Sequence, residues 1–232
     1  MENQNAEFDR FADSYDEILA DPLRRWFAHS NEFFHRRKLE ILRSSLSAAG
    51  KSPGKLDWLD LGCGRGDLLR MGRAEFASAS GCDVSPASLK YCAGMSVRQQ
   101  KQADRIPFDA QSFDLVTAAC VYHHVAVSER LRLTRSVHKV LRPGGLFAVF
   151  EHNPWNPVTR AIVRRCPMDV NATLMRSSEC AALLTQAGFI RISLDYFLFL
   201  PEAAGRKMAG VENWLRWLPL GGQYAVLGEI AA

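Results

Sequence analysis

The stretch LDLGCGRGD, from Leu59 to Asp67, places three glycines within five residues directly after an apolar run. Gly62, Gly64 and Gly66 lack a Cβ, so the backbone there can adopt positive φ angles and another molecule can approach it closely. A turn between a strand and a helix needs one such residue, whereas three indicate a ligand that contacts the main chain. The stretch therefore predicts a strand, a ligand-binding loop and a helix, in that order.

Strands and helices alternate along most of the chain. The hydrophobic pattern predicts strands at 55–61, 79–84, near 97–103, 113–120, 146–152, 189–200 and 223–231. It predicts helices at 7–20, 23–49, 66–77, 85–95, 128–141, 177–187 and 206–218, with a break at RPGG after 141. Such alternation is typical of a mainly parallel sheet with helices on both faces. Ligands of these sheets bind beyond the carboxyl ends of the strands, where the glycine-rich loop lies.

The composition narrows the class of protein. At 232 residues the chain suits one α/β domain with additions. No apolar run reaches the roughly 18 residues of a membrane span, and the acidic, polar N-terminus is unlike a signal peptide, so we expect a cytoplasmic protein. The net charge of +4 is mild and its basic residues are scattered, which argues against a nucleic-acid partner. Six cysteines without CxxC pairing argue against a metal or disulfide framework.

Two acidic residues limit which ligands the loop can bind. Its glycine spacing departs from the GxGxxG of dinucleotide sites, and no GxxxxGK[ST] phosphate loop is present. Asp60 would repel a pyrophosphate but attract an ammonium group, whereas the helix start at 66–67 favours an anion. Asp83 ends the second strand, where an acid can accept hydrogen bonds from ribose hydroxyls. An amino-acid end joined to a ribose describes S-adenosylmethionine (SAM).

Four stretches then resemble the class I SAM-dependent methyltransferases in order and spacing, over about residues 55–152. They are LDLGCGRGD, GCDVS, QADRIPFDAQSFDLVTAACVYHHV and VHKVLRPGGLFAVFEH. The resemblance implies a Rossmann-like, seven-stranded, mostly parallel sheet with helices on both faces and one antiparallel strand, 223–231, near the C-terminus. We expect a single structural domain: an N-terminal helical cap at 1–50 and a methyltransferase domain at 51–232, with a helical lid inserted at 201–222.

The resemblance also implies which residues contact the SAM cofactor. They are Asp60, Gly62, Cys63, Gly64 and Gly66 at the methionine end, Asp83 at the ribose, Val84, Gln102 and Ala103 at the adenine, Ala119 and Cys120 beside the methyl donor, and Tyr15 folded over the cofactor. The family often has an acid followed by alanine where this chain has Gln102 and Ala103. The carbonyl oxygen of a glutamine can still accept a hydrogen bond there.

The acceptor side carries weaker signals. A sulfonium methyl is already activated, so the enzyme mainly has to align the acceptor in a dry pocket. A general base is needed when the acceptor carries a proton, and His123 and His124 after the fourth strand are candidates for it. The alternative is that both histidines only shape the wall. Glu151 and His152 end the fifth strand at the same edge; we see no carboxylate cluster typical of a metal site and expect no metal.

Aromatic residues indicate the kind of acceptor. Trp26, Phe33 and Phe34 lie in the N-terminal helices, and Asn153, Trp155 and Asn156 follow the fifth strand as substrate contacts or as a stiff loop. Val211, Trp214, Leu215 and Leu218 share one face of the helix predicted at 206–218, which suits core packing, a lid or a dimer contact.

We therefore expect methylation of an oxygen, nitrogen or carbon of a small aromatic or lipophilic molecule by a monomer or homodimer. The alternatives are a non-catalytic SAM-binding module and a protein or nucleic-acid methyltransferase.

Overall fold

A seven-stranded mixed sheet forms the centre of the computed structural model, which describes residues 8–205, 212 and 214–232. The strands are β1 (Asp57–Leu61), β2 (Ser78–Asp83), β3 (Ser96–Gln99), β4 (Phe113–Ala119), β5 (Leu141–His152), β6 (Ile190–Phe197) and β7 (Gln223–Glu229). Their order across the sheet is β3-β2-β1-β4-β5-β7-β6. β7 runs antiparallel to both β5 and β6, and the other pairs are parallel. This confirms the predicted fold class, with β7 as the antiparallel strand.

Helices precede the sheet and connect its strands. They are α1 (Tyr15–Ile18), α2 (Pro22–Phe27), α3 (Asn31–Ala48), α4 (Asp67–Gly72), α5 (Pro86–Leu89), α6 (Val127–Val140), α7 (Pro157–Arg165), α8 (Ser177–Gln186) and α9 (Glu202–Gly205). Short 3₁₀ turns lie at Pro53–Lys55, Arg73–Glu75, Tyr122–His124 and Pro167–Asp169. No helix among the described residues is long and apolar enough to cross a membrane.

The two faces of the sheet bury separate apolar clusters because side chains alternate along each strand. Leu59 and Leu61 of β1 pack into the cluster that includes residues of α6 and α8. Trp58 points to the opposite face, where it packs with Leu39, Leu42 and Leu46 of α3. The helix α3 therefore belongs to the layer of helices that covers one face of the sheet.

Several predicted boundaries differ from the observed ones. The predicted helix at 23–49 is two helices, α2 and α3, because residues 28–30 are not helical and Ser30 is extended. In the described parts of the predicted helices 7–20, 66–77 and 85–95, the helices α1, α4 and α5 are shorter than predicted. Residues 8–9 are also helical, and the 3₁₀ turn Arg73–Glu75 follows α4. The helix predicted at 206–218 lies largely outside the described residues.

The structure corrects the prediction for the RPGG segment and adds a helix after β5. RPGG lies inside β5 rather than in a break: Leu141 pairs with Phe113, and the register then shifts before Leu146 pairs with Leu115. Gly144 accommodates this irregularity with a φ of 71°. Residues 157–165, for which no element was predicted, form α7, because Pro157 occupies its first turn and the Asn156 side chain accepts a hydrogen bond from Thr159 N.

Candidate active site

One cavity of about 420 Å³ lies beyond the carboxyl ends of β1, β2, β4 and β5. Loops after these strands form its floor, and residues of α1, α2, α3 and α7 form its walls. Ten of the fourteen predicted site residues line it: Tyr15, Gly62, Gly64, Asp83, Val84, Ala103, Ala119, Cys120, His123 and His124. The other four, Asp60, Cys63, Gly66 and Gln102, do not.

The glycine-rich loop needs its glycines for conformation and for space. Gly62 and Gly64 have φ angles of 68° and 53°, a region that favours glycine. A Cβ on Gly62 would lie 2.5 Å from Val121 Cγ2, whereas a Cβ on Gly64 would meet no atom within 4 Å. Gly64 therefore presents bare main chain to the cavity, as a loop that contacts a ligand requires.

Asp83 holds this loop in place from the end of β2. Its carboxylate accepts hydrogen bonds from Gly64 N and Ser85 N, both at 2.8 Å. The side chain is buried and lines the cavity. Burial raises the pKa of Asp83, while the two backbone donors favour its ionised form. A carboxylate has about four lone-pair sites, so Asp83 can still accept from a hydroxyl donor of a ligand.

Asp60 lies behind the loop rather than on the cavity wall. It is buried and accepts a hydrogen bond from Thr117 Oγ1 at 2.7 Å, and Thr117 accepts one from Trp58 Nε1 at 2.9 Å. Burial raises the pKa of Asp60 to about 7 against the opposing effect of the Thr117 bond. Cys63 and Gly66 belong to the loop but do not line the cavity, and a Cβ on Gly66 would come within 3.0 Å of Met95 and Cys92. Asp60 therefore supports the loop from β1, and Gly66 packs against the segment after α5.

The residues predicted at the adenine are partly misplaced. Gln102 is exposed and pairs with Arg105 in an isolated bridge, so its side chain lies off the cavity. Gln100 is buried, lines the cavity and donates through Nε2 to Ala103 O at 2.9 Å. The structure thus places Gln100 beside Ala103 where the sequence predicts Gln102. The strand β3 ends at Gln99, and this fixes which glutamine faces inward.

A histidine–carboxylate cluster also borders the cavity, which His123, His124 and Asp169 line. His123 Nδ1 lies 2.6 Å from Glu151 Oε2, and His123 Nε2 lies 3.5 Å from Asp169 Oδ1. Burial alone would lower the pKa of His123, but the two carboxylates outweigh it and raise the pKa to about 10. For His124, 3.3 Å from Asp169 through Nε2, burial and repulsion from His123 lower the pKa to about 3. In this arrangement His123 carries a proton and His124 is neutral.

Cys120, His152 and Gln223 line the cavity beside this cluster, with the His152 ring centroid 5.1 Å from that of His123. Cys120 follows β4 with a φ of 60°, and Gln223 Nε2 lies 3.5 Å from its sulfur and 3.4 Å from His152 Nδ1. Burial would raise the pKa of the Cys120 thiol, but His152 and Lys38 lower it to about 7. Gln223 Oε1 is buried and has no hydrogen-bond partner among the described residues. It is a free acceptor beside the cavity.

Two cationic side chains of the N-terminal helices line the cavity, and neither was predicted as a site residue. Lys38 on α3 is 4% exposed and makes no hydrogen bond or ion pair with the described residues. Arg24 on α2 packs over the Phe34 ring and donates to Asn31 Oδ1. Trp26 and Phe34 also line the cavity, whereas Phe33 is buried in the core. A lysine at a buried helical position was the one signal in the sequence that could have indicated this wall.

The asparagines after β5 have structural contacts. Asn153 is buried and donates through Nδ2 to Pro219 O at 3.0 Å and Gly221 O at 2.8 Å. Asn156 caps α7, donates to Leu220 O at 2.8 Å and lines the cavity. Trp155 is exposed and lies outside the cavity.

Comparisons with known proteins agree with this geometry. A family model described as a methyltransferase domain matches residues 59–149. An uncharacterized methyltransferase of Synechocystis sp. is 32% identical over 167 residues, which cover 68% of this chain and 74% of that protein. The dTDP-4-amino-2,3,4,6-tetradeoxy-D-glucose N,N-dimethyltransferase of Saccharopolyspora spinosa is 30% identical over 152 residues, 62% of this chain and 54% of that protein.

The fold has a solved counterpart as well. A SAM-dependent methyltransferase of Thermotoga maritima superimposes with a TM-score of 0.70 at 16% identity, over 97% of this chain and 98% of that one. Sheet order, glycine-rich loop and cavity together define an enzyme that uses SAM as methyl donor. The chain belongs to the class I SAM-dependent methyltransferases, which confirms the resemblance seen in the sequence.

Proposed function

We propose that this enzyme methylates an oxygen, nitrogen or carbon atom of a small aromatic or lipophilic molecule. The observation that carries the proposal is the cavity of about 420 Å³, which the N-terminal helices and α7 enclose. Its volume falls in the range of small-molecule sites, about 300–1,000 Å³. Apolar side chains dominate the acceptor half, including Phe27, Phe34, Ile162, Met168 and Phe199. A protein or nucleic-acid acceptor would instead need a broad, open and basic surface.

The glycine-rich end of the cavity fits SAM. We propose that Gly62 and Gly64 receive its methionine part along bare main chain and that the free lone pairs of Asp83 receive the ribose hydroxyls. Val84, Gln100 and Ala103 form the wall on which the adenine would rest. When bound, SAM supplies a methyl group that is already activated by its sulfonium centre.

The chain's own part is then to position the acceptor and to exclude water. Holding two reactants in the right geometry can contribute on the order of 7–11 kcal/mol. The segment with Phe8, Phe11 and Tyr15 covers one side of the cavity, and α7 covers another. We infer that this enclosure, rather than a single catalytic group, accounts for most of the rate enhancement. His123 and His124 remain predicted catalytic residues at the acceptor end.

Calorimetry with S-adenosylhomocysteine (SAH) tests the cofactor site. We expect Asp83→Ala and Gly64→Val each to weaken SAH binding at least 100-fold, because one removes the ribose acceptor and the other fills the cradle at a positive φ. The exposed Asp109→Ala is the matched control and should bind as the wild type does. Unchanged affinity in both folded variants contradicts the site.

Release of SAH in the presence of acceptor panels tests the acceptor class. We expect turnover with aromatic or lipophilic small molecules and none with RNA, DNA or unfolded protein. Ile162→Trp, which fills the acceptor half, should abolish turnover while SAH binding persists; Val127→Trp, at an exposed position, should change neither. Methylation of a macromolecule alone, or full activity of Ile162→Trp, would refute the enclosed-pocket proposal.

A further inference from the structure

Two histidines and one aspartate converge where the cavity receives the acceptor. His123, His152 and Asp169 each offer one ligand atom, and these atoms all lie within 4.8 Å of one another. The three residues come from separate elements: the turn after β4, the end of β5 and the turn after α7. Because they are far apart in the sequence, no local spacing indicates this group, and the sequence analysis expected no metal.

Buried hydrogen bonds orient the ligand atoms. Glu151 is fully buried; its Oε2 lies 2.6 Å from His123 Nδ1, and its Oε1 accepts from Tyr122 N at 2.7 Å. This bond directs His123 Nε2 towards Asp169 Oδ1, at 3.5 Å. A metal-bound histidine nearly always has its other ring nitrogen bonded to a carboxylate, a carbonyl or water. The Gln223 side chain lies beside His152, with its Nε2 3.4 Å from His152 Nδ1.

The turn that carries Asp169 is fastened to His123. Thr173 N donates to His123 O at 2.8 Å, and Arg130 Nη2 donates to Thr173 O at 2.6 Å. Asp169 N donates to Cys166 O at 3.0 Å, which closes the turn. The aspartate and the first histidine are therefore held in one rigid unit, so the site does not depend on a loose loop.

Charge and access both favour a cation here. His123 contacts two carboxylates, Glu151 and Asp169, and a divalent ion that takes the place of the His123 proton would balance the charge of both. All three ligand residues line the cavity, so a bound ion would keep coordination positions open towards the acceptor. Two histidines and one carboxylate with open positions are the ligand set of catalytic zinc and related divalent metal sites.

We propose that His123, His152 and Asp169 bind one divalent transition-metal ion of the zinc type, with its open positions facing the acceptor. The ion would bind the oxygen or nitrogen atom of the acceptor, whose N–H or O–H proton then leaves to solvent with both bonding electrons kept by that atom. The role of the ion in catalysis rests on the proposed function, whereas its binding does not. His124 Nε2, 3.3 Å from Asp169 Oδ1, is the nearest candidate for a further ligand.

Titration of metal-free protein with Zn²⁺ alone, without SAM or acceptor, tests the site. We expect one ion per chain by calorimetry, and with Co²⁺ a visible absorption spectrum that reports its coordination. His152→Gln and Asp169→Asn should each weaken binding at least 100-fold. Glu151→Gln, which acts through His123, should weaken it about 10–100-fold. His29→Ala removes an exposed histidine and is the matched control.

The possible results distinguish the proposed metal site from the proposed function. Circular dichroism and thermal unfolding establish that each variant folds, and the nearly isosteric Asp169→Asn should fold even where a histidine variant does not. Absence of a tight Zn²⁺ or Co²⁺ site in the wild type, or equal affinity in folded Asp169→Asn, overturns the metal site and leaves an ion-pair cluster. If the metal binds as expected but no small apolar molecule is methylated, the proposed function fails and the metal site stands.

Discussion

At the scale of single residues, several groups are buried in states that are unfavourable for folding. Asp60, Asp83 and Lys38 are at least nine-tenths buried, and Lys38 has no ion-pair partner among the described residues. Burying an unpaired charge is costly unless a ligand later compensates it. Asp83 and Lys38 line the cavity and Asp60 lies behind its glycine-rich loop, which indicates that stability has been exchanged for binding.

Replacing Lys38 tests this exchange. Lys38→Met keeps the length of the side chain and removes the buried charge, so we expect the free energy of unfolding to rise by about 1–3 kcal/mol. Binding of SAH or of an acidic acceptor should weaken, because the cavity loses a cation. Urea unfolding and calorimetry measure the two effects; Arg36→Met serves as a control on the same helix. A destabilised variant with unchanged binding would show that Lys38 is structural.

The raised pKa of Asp60 should make the free energy of unfolding depend on pH. Its pKa is about 7 in the folded protein against about 4 when exposed, so between these pH values the unfolded state binds fewer protons. The free energy of unfolding should then fall as pH rises from 4 to 7, by a few kcal/mol from this residue. Urea unfolding of cofactor-free Asp60→Asn should show a flatter profile than the wild type, and the exposed Glu32→Gln should not. Parallel profiles for Asp60→Asn and the wild type would contradict the assignment.

At the scale of elements, the sequence predicts the parts that obey local rules. The strand β1, the glycine-rich loop and Asp83 follow from periodicity and spacing alone, and the structure places them as expected. The N-terminal helices and α7 are less predictable, because their ends depend on tertiary contacts. Lys38, Asp169 and Gln100 reach the cavity only through the packing of separate elements, which no single stretch of sequence encodes.

The loop before β7 depends on one asparagine at the end of β5. Asn153 Nδ2 satisfies two backbone carbonyls, those of Pro219 and Gly221. Asn153→Ala leaves buried acceptors unpaired, and we expect a loss of about 2–3 kcal/mol in the free energy of unfolding. Urea unfolding measures it, with Asp109→Ala as the comparison at an exposed polar residue. A loss below about 0.5 kcal/mol would mean that water replaces these bonds.

At the scale of the whole molecule, hydrogen bonds join the N-terminal segment, residues 8–19, to the cofactor end of the cavity. Asp9 Oδ1 accepts hydrogen bonds from Ser85 Oγ at 2.6 Å and Ala87 N at 3.1 Å. Asp13 accepts from Tyr91 OH at 2.6 Å, and Asp16 pairs with Arg65 at 2.9 Å. These contacts all join the segment to the loops and helices after β1 and β2, which frame the cofactor end.

Because this segment covers one side of the cavity, we expect it to open when ligands exchange. We expect SAH to slow amide hydrogen exchange in residues 8–19 as well as in 62–67, since both surround the same ligand. Asp9→Ala removes two of the bonds that close the segment, so SAH should dissociate about tenfold faster and bind correspondingly more weakly. Hydrogen exchange by mass spectrometry and stopped-flow dissociation measure both, with Asp109→Ala as control. Protection confined to 62–67, with unchanged dissociation from Asp9→Ala, would show that the segment packs against the body independently of the ligand.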